Sequence, residues 1–202
     1  MARGKKLSYR RYEEIKLEVC SLLDECPGMC YPLKPKEIAR LLDYIIIPYS
    51  ELDATSYNTA IAISDDAYST VEEDDTGMNR YVIYYNDYCT TSERIDWSIA
   101  HEIGHIYLGH HDAPNNGDYE LEANFFAKYL MAPPPIIHSA QCHDSNDVAI
   151  CFNLSKQAAT YAYIYYERWL YQGPKDYQDF EISMIENHPC VTNACFNASA
   201  VV

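Results

Sequence analysis

The chain has 202 residues, of which 48% are hydrophobic and 22% are charged, and this composition is typical of a globular protein rather than a disordered one. A formal net charge of −15 repels the phosphate backbone of DNA or RNA, which disfavours direct nucleic-acid binding. No apolar run approaches the roughly 20 residues that a membrane span needs, and the basic amino terminus leads into Glu13 and Glu14 rather than into an apolar segment, which disfavours a secretory signal. We therefore expect a cytoplasmic protein without a membrane association.

The first half of the chain is predicted to alternate between helices and strands. Ser8 is a suitable cap for a helix that runs to about Glu25, and Pro35 suits the first turn of a second helix over Lys36–Leu42. Apolar, largely β-branched and aromatic runs predict three strands, at Tyr44–Pro48, Ala60–Ser64 and Arg80–Tyr85. The acidic segment Val71–Gly77 is interpreted as the turn that joins two strands.

The second half of the chain is predicted to be helical. From Ser92 the apolar period changes to that of a helix, with isoleucines on one face at positions 95, 99, 103 and 106. Asp118 is a suitable N-cap for a helix over Tyr119–Met131, and the prolines at 133–135 end that helix. Two further helices are expected around a tight turn, at Asp147–Phe152 and Ser155–Tyr171, whereas the residues after them carry no pattern that predicts structure.

The cysteines are expected to be free thiols, several of them buried as small hydrophobic side chains. They include no C-x-x-C pair, and a chain of this length without an export signal has no need of disulfides. The pairs Cys26/Cys30 and Cys190/Cys195 keep a smaller expectation of a second metal site or a redox role. The eight cysteines are Cys20, Cys26, Cys30, Cys89, Cys142, Cys151, Cys190 and Cys195.

Residues 101–105 read H-E-I-G-H, so two histidines stand four positions apart with a glutamate directly after the first. His101 and His105 therefore project from the same side of a helix, and both imidazoles can reach one tetrahedral Zn²⁺. Glu102 points beside the metal, where it can accept a proton from water as a general base. Gly104 costs about 1 kcal/mol of helix propensity relative to alanine, which hints at the close approach of another element. The alternative is that these polar residues share a helix by chance, and a third ligand on another element is needed to decide.

The helix predicted from Tyr119 offers that third ligand. Glu120 and Asn124 are four positions apart and share one face, which suits a carboxylate ligand followed by a residue that holds a ligand histidine or the ligand helix in place. Glu122 lies about 200° around the helix from Glu120 and is kept as the reserve metal ligand. Glu120 could instead be a first-turn acid that the helix dipole favours.

Other histidines are given ordinary roles. His110 and His111 are adjacent and cannot share a helix face, so at most one of them could approach the metal, and we expect both to cap the helix or lie at the surface. His138 and His143 are interpreted as loop residues. A donor for the developing oxyanion is also needed, and the tyrosines near residue 85 do not single one out.

The order of these motifs resembles that of a known family. Five residues separate Arg94 from A-H-E-I-G-H-I-Y-L-G-H, and E-L-E-A-N-F-F-A-K-Y-L-M-A-P follows from Glu120. The pattern, over about Lys34–Pro134, is similar to that of the ImmA/IrrE family of metallo-endopeptidases. Two separated motifs in the right order make this resemblance specific, whereas the first motif alone would indicate only a metallopeptidase.

The resemblance implies a gluzincin-like site with one Zn²⁺ per chain, in which His101, His105 and Glu120 are the ligands and Glu102 is the base. Members of the family resemble regulatory proteases of phages, integrative elements and stress responses that cut a helix-turn-helix repressor. The implied partner is therefore a protein substrate, a repressor encoded nearby.

The carboxy-terminal part also carries a family feature, because Ala149–Ala159 is similar to the helix-turn-helix-like segment that follows the protease core in many relatives. An arginine often follows the paired alanines there, whereas this chain continues with Thr160-Tyr161-Ala162-Tyr163. Together with the acidic charge, this departure favours a packing or partner-docking role over DNA contact.

We expect an α+β fold in which a small antiparallel sheet packs with the active-site helices in a zincin-like arrangement, with a helical lead-in and a helical tail. The expected domains are an N-terminal helix over 1–30, a metallopeptidase core over 31–135, and a C-terminal helical segment and tail over 136–202.

The predicted function is zinc-dependent endopeptidase activity against a helix-turn-helix repressor of a phage, mobile element or stress response. One alternative is a non-cleaving anti-repressor binding protein that retains the metal site, although a pure binder has no need to keep Glu102. Another is a DNA-binding regulator that uses residues 147–171.

Overall fold

The computed structural model describes residues 6–88, 91–112, 114, 117–173 and 175–191. Within these residues every helix is too short or too polar to cross a lipid bilayer. In chain order the elements are α1 (Tyr9–Asp24), α2 (Pro35–Leu41), β1 (Ile45–Pro48), α3 (Ala54–Ile63), β2 (Ala67–Glu73), β3 (Asn79–Tyr85), α4 (Ser92–Tyr107), α5 (Tyr119–Met131), α6 (Pro134–Ser139), α7 (Ser145–Phe152), α8 (Lys156–Gln172) and α9 (Asp179–Asn187).

The predicted α+β class is confirmed, with a three-stranded sheet and helices at both ends of the chain. The strand order is β1-β3-β2. Strands β2 and β3 form an antiparallel pair in which Ser69 lies opposite Ile83. Strand β1 runs parallel to β3, with Ile46 opposite Ile83, so the sheet is mixed where an antiparallel one was expected. Parallel pairing needs a crossover, and α3 and β2 supply that connection here.

The predicted strand at Ala60–Ser64 is wrong, because residues 60–63 form the end of helix α3. Asp53 caps this helix, and its carboxylate accepts hydrogen bonds from the backbone N–H groups of Thr55 at 2.8 Å and Ser56 at 3.0 Å. An N-cap of this kind satisfies donors that a helix start otherwise leaves unpaired. An apolar run of four residues is too short a strand signal to outweigh this helix start.

Strand β2 lies partly where the acidic segment predicted a turn. Residues 71–73 belong to the strand, and the turn begins at Asp74, whose side chain accepts hydrogen bonds from the backbone N–H groups of Thr76 and Met78. In the register of the pair, Glu72 lies opposite Arg80. Opposite charges across a ladder stabilise pairing, and an edge strand tolerates acidic side chains on its open side.

The later helices agree with the sequence pattern except in two places. Helix α5 has its predicted bounds, and α7 and α8 begin and end within two residues of theirs. The prolines do end α5, but Pro134 also begins α6, since proline fits the first turn of a helix. Helix α9 was not predicted. It begins with a capping box in which Gln178 and Glu181 satisfy each other's backbone N–H groups.

The described residues divide into two compact units, one within residues 1–19 and 35–127 and the other within residues 20–34 and 128–202. In the first unit, α4 contacts α2 and lies against β2 and β3. Its core includes Ile99, Ala100 and Ile103 of α4 and Val82 and Ile83 of β3, which are all buried. Burying an isoleucine side chain contributes roughly 1.5–3 kcal/mol, so the apolar face fixes the direction in which the opposite face of α4 points.

In the second unit, α8 lies against α6 and α7, and α6 also contacts α9. Tyr31 is fully buried there. Its hydroxyl donates a 3.0 Å hydrogen bond to the carbonyl of Leu130, and its ring meets Phe152 edge to face. A buried tyrosine hydroxyl needs such a partner, so this residue anchors the segment before α2 within the unit.

The expectation of free thiols is confirmed for five of the described cysteines, Cys20, Cys26, Cys30, Cys142 and Cys190. It is wrong for Cys151, which is disulfide-bonded. Cys89 and Cys195 lie outside the described residues. Pairing requires the two Cα atoms to come within about 7 Å, and spacing along the sequence does not determine that distance.

The close approach expected at Gly104 is confirmed. A Cβ atom at this position would lie only 3.1–3.3 Å from three side-chain atoms of Phe126. Phe126 belongs to α5 and is fully buried. The missing side chain on α4 therefore allows α5 to pack directly on it.

Replacing Gly104 tests this contact. Because an inserted side chain must displace Phe126, we expect Gly104→Val to destabilise the metal-free chain by about 1–3 kcal/mol. Gly104→Ala should destabilise the chain less, because alanine gains about 1 kcal/mol of helix propensity over glycine. This gain offsets part of the cost of the contact between the new Cβ and Phe126. Urea unfolding measures both values, and a Gly104→Val variant as stable as the wild type would contradict the packing described here.

Candidate metal centre

An open cleft of about 510 Å³ lies in the first unit. Its walls come from the end of α3, from β2, from α4 with the turn after it, and from the start of α5. The polar residues that line it include Ser69, His101, Glu102, His105, His111, Glu120 and Asn124. The cleft is therefore where the residues singled out in the sequence meet.

Helix α4 brings His101 and His105 together, with their Nε2 atoms 3.0 Å apart. Glu120, in the first turn of α5, places one carboxylate oxygen 3.4 Å from each of these nitrogens. One ligand atom from each of the three residues lies within 4.8 Å of the others. Two imidazoles and a carboxylate are a donor set typical of catalytic zinc sites, so these residues fit a divalent metal.

The two imidazoles are held in the neutral form. Burial lowers the pKa of His101, although Glu120 and Asn124 oppose this effect. Burial also lowers the pKa of His105 to about 3, with a further contribution from the nearby histidines. A neutral imidazole keeps the lone pair that binds a metal.

Glu102 lies beside the two histidines and is only 9% exposed. Its Oε2 accepts a 2.7 Å hydrogen bond from the hydroxyl of Ser69. Burial raises the pKa of Glu102 to about 7, and the charge of Glu120 adds to this rise while the Ser69 hydrogen bond opposes it. A carboxylate with a pKa near neutrality suits general acid–base chemistry.

Ser69 was not found from the sequence. It lies on β2, and its hydroxyl is also 3.0 Å from Nε2 of His111. The acidic residues at the end of this strand predict a turn, so the sequence does not place Ser69 near Glu102. His111 is exposed, as expected, and lines the cleft.

His110 takes part in capping α4 through its backbone N–H, which is one of its two predicted roles, but the predicted surface position is wrong for it. The residue is buried, with its Nδ1 2.9 Å from Nδ1 of His105. Gly109 has a φ of +70°. The N–H of His110 bonds the carbonyl of His105, and the N–H of Gly109 bonds that of Ile106. This pair of bonds is a Schellman turn, which folds the chain back behind the helix. The glycine after Leu108 was the available signal for it.

Asn124 and Glu122 take different directions from α5. The Asn124 side chain donates a 2.7 Å hydrogen bond to the backbone carbonyl of Glu120, and it raises the pKa of His101 against the effect of burial. Glu122 bonds Arg11 and His110, and it is not in the cluster with the two imidazoles. The structure therefore brings Glu120, and not the reserve residue Glu122, next to His101 and His105.

Comparison with known proteins identifies a family. Residues 44–163 match the family model described as Peptidase_M78, IrrE N-terminal-like domain. A search of curated proteins gives no significant match. The matched span covers more than half of the chain and includes both α4 and α5. The chain therefore belongs to the IrrE N-terminal-like family of metallopeptidases, as the order of its motifs indicated.

Proposed function

We propose that the chain is a zinc-dependent endopeptidase in which His101, His105 and Glu120 hold the ion. The observation that supports this most directly is the convergence of two imidazole nitrogens and a carboxylate at the cleft. A zinc ion bound there supplies the positive charge that polarises a peptide carbonyl and acidifies water.

Glu102 is the proposed general base. Its carboxylate takes the proton of the attacking water and passes it to the leaving amine. The Ser69 hydroxyl holds one carboxylate oxygen, which leaves the other for this transfer. Burial raises the pKa of the carboxyl group to about 7, and a pKa near the working pH suits both accepting and returning a proton.

The family implies a protein substrate, and we propose that it is a helix-turn-helix repressor of a phage, mobile element or stress response. The motif resemblance suggests this target. A net charge of −15 favours the approach of a basic partner, and DNA-binding proteins are typically basic. Cleavage of such a repressor takes place in the cytoplasm.

The role of Glu102 is tested with Glu102→Gln, which keeps the shape of the side chain but removes the base. The substrate is the repressor encoded beside the gene, and we expect the rate of its cleavage to fall by about 10²–10⁴-fold. Gel electrophoresis measures this rate, and mass spectrometry identifies the fragments.

Glu93→Gln is the matched control, because Glu93 is an acid in the first turn of the same helix and does not line the cleft. It should cleave like the wild type. If the wild type and Glu102→Gln relieve repression equally and leave the repressor intact, the chain is a non-cleaving anti-repressor and the proposed activity is wrong.

The metal is tested by competition with a chromophoric zinc chelator. We expect the full chain to bind one zinc ion. His101→Ala, His105→Ala and Glu120→Ala should each weaken zinc affinity by more than about 100-fold, because losing a residue that only hydrogen-bonds a ligand can already cost that much. His143→Ala, which removes an exposed histidine of the second unit, should bind normally. A wild-type chain without stoichiometric zinc binding would exclude the site.

A further inference from the structure

A chain of hydrogen bonds runs away from the cleft behind His105. Its Nδ1 faces Nδ1 of His110 at 2.9 Å. Nε2 of His110 lies 3.1 Å from Oε2 of Glu122. The same carboxylate oxygen accepts a hydrogen bond from the guanidinium of Arg11 on α1. Four side chains from α1, α4, α5 and the turn after α4 are thus linked in series.

His110 has little freedom in this chain. Its ring stacks on Tyr119, with the ring centroids 4.0 Å apart and the planes 6° from parallel. The side chain of His110 is 4% exposed and that of Glu122 is 7% exposed. Buried polar atoms must satisfy one another because water cannot, so the direction of each hydrogen bond is determined by its neighbours.

The carboxylate sets the first direction. Glu122 is an acceptor when ionised, so Nε2 of His110 must carry a hydrogen. The guanidinium of Arg11 against the same oxygen disfavours a second positive charge on His110. A neutral His110 then presents a lone pair at Nδ1.

The second direction follows from the first. Two Nδ1 atoms at 2.9 Å share a single proton, and His110 needs to receive it. His105 therefore carries its hydrogen on Nδ1 and keeps the lone pair on Nε2. That lone pair faces Nε2 of His101 at 3.0 Å, so in the metal-free chain His101 carries the hydrogen of this contact, and a metal ion takes its place.

We propose that His110 and Glu122 are positioning residues that fix His105 in the tautomer whose Nε2 can bind the metal, with Arg11 holding Glu122. Outer-shell partners of metal-binding histidines commonly act in this way, and their loss weakens metal affinity by about 10–100-fold. The inference rests on the proposed metal site, but the direction of the hydrogen bonds can be measured in the metal-free protein.

The tautomer is read by long-range ¹H–¹⁵N correlation NMR of the metal-free full chain. We expect the hydrogen of His105 on Nδ1 in the wild type, and a mixture of both tautomers in Glu122→Ala and in His110→Ala. A wild-type His105 that carries its hydrogen mainly on Nε2 would overturn the proposal. This measurement needs no substrate and no activity.

Zinc affinity is the second readout, again by chelator competition. We expect Glu122→Ala and His110→Ala to bind zinc about 10–100-fold more weakly than the wild type. Glu122→Gln keeps an acceptor oxygen for His110, and His110→Asn keeps an acceptor near the position of Nδ1, so both should recover most of the affinity. His143→Ala should leave affinity unchanged.

The outcomes separate this inference from the proposed function. A wild-type chain that binds no zinc refutes the metal site itself. A wild-type chain that binds zinc while Glu122→Ala binds equally well refutes the positioning role alone. If His110→Ala fails to fold, the wild-type NMR spectrum and the comparison of Glu122→Gln with Glu122→Ala still decide the question.

Discussion

The structure of the first unit depends on the requirement that α4 bury one face and keep two imidazoles on the other. Ile99 and Ile103 are fully buried, and the helical period then directs His101 and His105 to the cleft with their Nε2 atoms 3.0 Å apart. Because core packing fixes the rotation of the helix, the imidazoles cannot turn away without exposing the isoleucines. The geometry of the candidate metal site is therefore linked to the stability of the unit.

Two contacts determine what meets those imidazoles. At the start of α4, Arg94 makes a paired interaction with the carboxylate of Asp66, at 2.7 and 3.0 Å, just before β2 begins. This aligns the strand that carries Ser69 with the helix that carries Glu102. Near the other end, Gly104 admits the ring of Phe126, and α5 then carries Glu120 to the metal side. The remaining parts of the site come from these two neighbours of α4.

The sequence predicts the parts of the site that lie on regular helices. His101, Glu102 and His105 follow from a single period, and Glu120 and Asn124 follow from the next helix and its N-terminal residues. Ser69 and the buried position of His110 could not be obtained in this way. Ser69 depends on strand pairing between residues distant in the chain, and His110 depends on the Schellman turn at Gly109, which no helical or strand period shows. The strand predicted at Ala60–Ser64 is wrong for a related reason. The conformation of these residues is determined by an N-cap seven residues earlier, outside the short apolar run itself.

The turn at Gly109 sends two adjacent histidines in different directions. His110 lies in the interior against Nδ1 of His105, whereas His111 opens onto the cleft beside Ser69. Two residues adjacent in sequence therefore contact different parts of the candidate metal site, one in the protein interior and one in the open cleft. Removing one residue from this turn would move His111 toward the place of His110, and adding one would move His110 toward the place of His111, so the length of the segment is as constrained as its chemistry. Loops after helices usually tolerate insertions, but the segment from Gly109 to His111 should not.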